Sequence, residues 1–196
     1  MDPIAHTFTG MPLAAAGLRR ATPLAATALF MGVNAPDVDI VSGFLAEYES
    51  LAFRRGWTHG VLALVLWPFV LTGLLLAWDR YVRRRRDPGA APARARPLLA
   101  LAAIAIVSHP TLDWLNNYGL RWLMPFSGRW YYGDALFVID PWFWLLTGGA
   151  AFLTFSKSKL ARVRWAVFCG LATALILLNA TLAVSNAAAI TLSSVR

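Results

Sequence analysis

Apolar residues run through this chain in long unbroken blocks rather than in alternation. Gly60 to Trp78 and Trp165 to Leu192 carry no charged residue, and each matches the roughly 20 residues a helix needs to cross a hydrocarbon core. Pro97 to Leu115 is as apolar over most of its length but holds His109 and Asp113 near its far end. Asp140 to Phe155 is shorter, and the preceding Ala135 to Ile139 could lengthen it. Arg19-Arg20 divides the N-terminal apolar stretch into Ile4 to Leu18 and Ala21 to Val33, which predicts two short helices folded as a hairpin. The pattern therefore predicts an all-α fold, a polytopic transmembrane helical bundle with a short N-terminal helical hairpin and four main membrane helices. Residues 1–196 are expected to form a single integral membrane domain. Its motifs fall within residues 1–145 and its C-terminal helices within 141–192.

Composition supports that class. Hydrophobic residues make up 58% of the chain and charged residues only 14%, against roughly 45–50% and 25% in soluble domains. The single cysteine, Cys169, cannot form an intrachain disulfide, so the fold does not depend on an oxidising compartment. No Lys or Arg precedes the first apolar stretch, which argues against a cleavable signal peptide, and the start of the chain is expected to stay in the mature protein.

Charge gives the orientation. Arg80, Arg83 to Arg86, Arg94 and Arg96 fill one loop, and Lys157, Lys159, Arg162 and Arg164 fill another. Lys and Arg in short loops mark the cytoplasmic side, and Arg19 and Arg20 join them there. The net charge of +8 then reflects topology and attraction to anionic lipid headgroups rather than nucleic-acid binding. With crossings alternating from this assignment, His6, His59 and His109 all fall on the opposite, non-cytoplasmic face. Trp57, Trp114, Trp122, Trp130, Tyr131, Tyr132, Trp142 and Trp144 collect there too, as amphipathic rings do at a headgroup boundary.

The polar residues of that face have the chemistry of a metal site. His109 and Asp113 are four apart, which puts them on one face of a helix about 6 Å from each other, and polar groups at such depth are costly unless they face protein or water. In Pro36-Asp37-Val38-Asp39, a turning backbone would project both carboxylates to one side. A helical one would make them diverge and leave one to orient a histidine. Thr58 could cap the helix that begins near Gly60, leaving His59 in its first turn. His6 lies four residues after Asp2. Imidazole and carboxylate together suit Zn2+, with Mn2+ or Fe2+ as alternatives. His6, Asp37, Asp39, His59, His109 and Asp113 exceed the needs of one catalytic zinc, so one or two ions fit. Arg54, Arg55, Arg121 and Arg129 lie on the same face and suit a phosphate, or serve as lipid anchors.

Five motifs then resemble, in order, those of a bacterial family of membrane-bound metal-dependent hydrolases related to YdjM. They are Met1-Asp2-Pro3-Ile4-Ala5-His6 with Gly10, Pro36-Asp37-Val38-Asp39, Arg55-Gly56-Trp57-Thr58-His59, His109 to Asp113 with Tyr118-Gly119 and Pro125, and Phe137-Val138-Ile139-Asp140. That family's ligand pattern is similar to those of zinc-dependent phospholipase C and P1-type nucleases, which implies phosphoester hydrolysis. Two positions depart: Arg54 stands where the family commonly has His, and Gly60 where it has Ser.

The leading expectation is a hydrolase of the bacterial inner membrane that cleaves a phosphoester in a lipid or lipid-linked molecule at the non-cytoplasmic face. A metal-activated water would be the nucleophile, with the six His and Asp residues as metal ligands, Asp140 as an orienting group or additional ligand, and Arg55 as the phosphate clamp. An ion-coupled transporter is a second reading, for which Asn179 and Ser185 are the midplane candidates. A membrane protein with a closed structural metal site is a third.

Overall fold

The computed structural model describes residues 2–15, 17–44, 50, 53–154, 158, 160 and 182. The predicted last span from Trp165 to Leu192, Leu182 apart, lies outside them, as do the basic residues Lys157, Lys159, Arg162 and Arg164. The described part is helical, with no strand beyond the isolated bridges Asn116 to Leu136 and Leu120 to Tyr131. Helix α1 covers Pro3–Ala15 and α2 covers Ala25–Gly32, joined through a 3-10 turn at Leu18–Arg20. A 3-10 segment follows at Ala35–Phe44. Helix α3 covers Val61–Trp78 and runs on through a π turn at Asp79–Arg83 to Arg86, α4 covers Ala95–Leu115, and α5 covers Pro141–Thr154.

The N-terminal hairpin is present, with Gly17 supplying a φ of 101° at the bend. Val61–Arg86 and Ala95–Leu115 are the two described helices long and apolar enough to cross a membrane. With 14 residues, α5 is about 21 Å long, short of a hydrocarbon core of about 30 Å. The described residues thus carry two such helices where the sequence pattern predicts four.

Helix α4 is the centre of the packing. Leu98, Leu101, Ala102, Ala105 and Ile106 recur at helical spacing and are buried against Ala25, Ala28, Leu29 and Val33 on one side and Leu71 and Leu75 of α3 on the other. The stripe continues without a change of face into His109 and Asp113, both fully buried. One helical face therefore turns from apolar to ligating in its last turn, and the core that seats it also seats the polar pair. Pro110 lies inside α4 without ending it.

The far end is pinned by charge. The Asp79 carboxylate accepts from Arg83 Nε at 2.5 Å and from the Ala93 N–H at 3.0 Å, and the Arg94 N–H donates to Thr22 Oγ1 at 2.8 Å. These bonds tie the arginine-rich connection to the hairpin bend, at the end of α3 and α4 opposite the histidines.

Candidate metal centre

Each histidine is delivered by a separate local device. Asp2 Oδ1 accepts from the N–H groups of Ile4 and Ala5 at 3.0 and 3.1 Å, so Asp2 caps α1 and Pro3 takes the first helical position. Its Oδ2 accepts from the Trp144 indole at 3.0 Å, which fastens α1 to α5. His6 follows one turn later, fully buried, its ring stacked on His109 with centroids 3.7 Å apart. Asn34 bonds Thr7 Oγ1 and the Phe30 carbonyl, holding the end of α2 beside α1. That places the Val33 carbonyl 2.6 Å from His109 Nδ1.

A carbonyl can only accept, so His109 carries a hydrogen on Nδ1 and turns Nε2 toward the cluster. His59 is set in the same way. Thr58 Oγ1 donates to Asp39 Oδ2 at 3.0 Å and accepts from His59 Nδ1 at 2.8 Å. Thr58 is therefore not a helix cap: Gly60 takes that position for α3, and His59 sits in the turn before it. The two Nε2 atoms face each other at 3.0 Å.

Carboxylates close the cluster. Asp113 Oδ2 is 3.2 Å from His59 Nε2 and 3.3 Å from His109 Nε2, and Asp37 Oδ1 is 4.0 and 3.5 Å from the same atoms. Among the described residues, Asp37, His59, His109 and Asp113 each offer a ligating atom within 4.8 Å of the others, and the group could hold a metal ion. Burial, reinforced by the neighbouring His109, holds the His6 and His59 imidazoles well below the ordinary histidine value, so both are neutral near pH 7, the form that ligates metal.

The donor set itself fits a cation. Two imidazole nitrogens and two carboxylate oxygens converge in a small, largely buried space, and a cation held among them would offset the crowding of electron-rich atoms.

The other residues singled out from sequence take different places. The 3-10 winding of Ala35–Phe44 sends Asp37 and Asp39 apart, so Asp39 reaches the Nδ1 side of His59, 3.4 Å away, instead of the converging atoms. His6 Nε2 lies 3.4 Å from Asp113 Oδ1 and is likewise outside the group of four. Asp140 caps α5 through the Phe143 N–H at 2.9 Å. Arg55 is buried, its guanidinium engaged by protein acceptors and laid over Tyr118 at 4.5 Å. Arg121 is buried too, donating to the Arg54 carbonyl at 2.9 Å and lying over Trp130. Arg54 and Arg129 are exposed.

Asn116 escaped the sequence reading. Fully buried, it accepts from the Tyr118 and Gly119 N–H groups at 2.8 and 3.1 Å and donates to Asp113 Oδ1 at 3.3 Å. Its position three residues after Asp113, at the end of α4, was the available signal.

Comparison with known proteins adds a lineage. The family model described as YdjM inner membrane protein matches residues 1–186. An uncharacterized protein of Bacillus subtilis (strain 168), YfhP, is 25% identical over 118 residues, covering 60% of this chain and 33% of that protein. The chain thus spans about a third of that relative's length. No solved structure matches.

Proposed function

We propose that this chain, which belongs to the YdjM inner membrane protein family, is a metal-dependent hydrolase that cleaves a phosphoester in a lipid or lipid-linked molecule at the membrane boundary. The observation that carries the reading is the convergence of four ligating atoms from three separate segments, with both imidazoles turned to their Nε2 lone pairs by bonds at Nδ1. Orientation through the second ring nitrogen is the usual preparation of a histidine ligand. Asp37, His59, His109 and Asp113 would hold the ion, and Zn2+ suits this nitrogen and oxygen set. A divalent ion held there supplies a nucleophile near neutral pH and charge for the phosphoryl oxygens.

The chain's own residues supply the rest. Arg54 and Arg129 are exposed, where their guanidinium groups suit a phosphate. An apolar groove of about 500 Å³ has Trp67, Leu71 and Leu74 of α3 along one wall. Its lining residues Thr7, Asn34 and Val38 directly follow His6, Val33 and Asp37 in the chain, and its α3 wall belongs to a helix long enough to cross a membrane. Such a groove suits the hydrocarbon chain of an amphiphile whose headgroup lies at the cluster.

The positive-inside pattern of the basic residues favours a non-cytoplasmic position for this end of the bundle. Metal analysis of the purified protein, paired with hydrolysis of a phospholipid and lipid-pyrophosphate panel by wild type and His109→Ala, tests the reading. Bound zinc with activity confined to the wild type is expected. A wild type that stays metal-free after loading, or a His109→Ala variant with full activity, would overturn it.

A further inference from the structure

Arg55 combines three features that its neighbours lack. It is a non-glycine residue in the left-handed region, with φ of 51°, a conformation uncommon for residues with a side chain. Its backbone N–H donates to Asp39 Oδ2 at 2.8 Å, the oxygen that also receives the Thr58 hydroxyl. Its guanidinium reaches the opposite side of the cluster, with Nη2 at 3.5 Å from Asp113 Oδ1 and Nη1 on the Asn116 side-chain oxygen at 3.4 Å and the Gly119 carbonyl at 3.2 Å.

Asp113 is thereby divided. Oδ1 faces Arg55, Asn116 and His6, at 3.5, 3.3 and 3.4 Å, while Oδ2 faces His59 and His109. A carboxylate rotates about χ2 with little resistance, so whatever grips Oδ1 decides where Oδ2 points. Asn116 Nδ2 grips the same Oδ1, and Arg55 Nη1 also reaches the Asn116 side-chain oxygen, so Arg55 bears on Asp113 both directly and through this amide. Resting on the metal-centre reading above, we infer that Arg55 is a positioning residue for the cluster: its guanidinium fixes Asp113 with Oδ2 turned toward the ion, and its backbone N–H fixes the Asp39 carboxylate that orients His59. The left-handed backbone is what lets one residue serve both carboxylates. The guanidinium is buried against Tyr118, which holds it in this position.

The backbone supplies a discriminating substitution. Arg55→Gly keeps the N–H to Asp39, relaxes the left-handed conformation and removes the side chain that carries the guanidinium. Full-length protein in lipid nanodiscs is stripped with chelator, its melting temperature recorded, and Zn2+ and Co2+ titrated in. Wild type should bind the ion; if it does not, the metal-centre reading fails and this inference falls with it.

Given wild-type binding, Arg55→Gly should melt below the stripped wild type, because the buried Asp113 carboxylate loses its cation, and should bind zinc about 10- to 100-fold more weakly, as losses of ligand-orienting groups do. Its Co2+ ligand-field spectrum should shift. Arg55→Lys keeps the charge but not the planar fork, and should lose affinity at an unchanged melting temperature; it carries the test where Arg55→Gly does not fold. Wild-type affinity and an unchanged cobalt spectrum in a folded variant would overturn the role of Arg55 while leaving the metal centre standing.

Discussion

The Nε2 atoms of His59 and His109 stand 3.0 Å apart, turned toward each other because each ring is bonded through Nδ1 on its other side. Fifty positions separate the two residues, and the contact exists only because α3 and α4 pack together along their lengths. An ion between them turns repulsion into coordination. Saturating zinc, at about 100 times its Kd, should then stabilise the folded protein by about 2.7 kcal/mol, and chelator should reverse it. His109→Ala should remove this increment. Melting curves with and without zinc check this, and an equal zinc shift in the variant would sink it.

Thr58 and Asp39 meet the cluster on the Nδ1 side of His59. Thr58→Val keeps the shape and removes the hydroxyl, so His59 loses the acceptor that sets its tautomer. Zinc affinity should fall about 10- to 100-fold with the protein still folded. Competition with a chromophoric chelator reads the affinity; a Thr58→Val protein that competes as wild type does would show that the orienting bond is dispensable.

Gly60 stands where a Cβ would lie 2.5 Å from the Met124 carbonyl oxygen and 2.9 Å from that of Gly56. A side chain at this position therefore does not fit this backbone without movement. Gly60→Ser should destabilise by about 1–3 kcal/mol through overpacking and loosen the turn that carries His59. Thermal unfolding in nanodiscs measures this, and a variant as stable as wild type would show that the loop around Met124 yields.

Leu74 is exposed on α3 and lines the apolar groove. Leu74→Trp should obstruct the groove while remaining compatible with a lipid surroundings. Hydrolysis of long-chain substrates should fall relative to a short-chain, water-soluble phosphoester, with zinc content unchanged. A chain-length profile identical to that of wild type would argue that the hydrocarbon binds elsewhere.

Several parts of the site were legible in the residues because they depend on local physics. The helical spacing of His109 and Asp113 places them on one face whatever surrounds them, and the structure keeps both on the buried stripe begun by Leu98. The hairpin break at Arg19-Arg20 and the apolar run of α3 are read equally directly, because a helix satisfies its own backbone hydrogen bonds. Less legible was the division of labour among the carboxylates. Asp37 and Asp39 are two residues apart, and whether both face an ion depends on a 3-10 winding that a short Pro- and Asp-containing segment does not dictate by itself.

What the sequence by itself determined is the kind of protein and the level of the site: apolar segments long enough to span, basic residues at one end, and His and Asp residues at the other. Hydrophobic length and charge asymmetry act on each segment separately and need no knowledge of its neighbours. Only the tertiary structure decided which atoms meet. Asp113 reaches His59, Arg55 reaches Asp113 and Asn116, and the Val33 carbonyl reaches His109 across gaps in sequence that packing closes. Hydrogen bonds and coordination act over about 3 Å, so their partners are chosen by how the helices dock and by the turn at Arg55, which the order of residues leaves open.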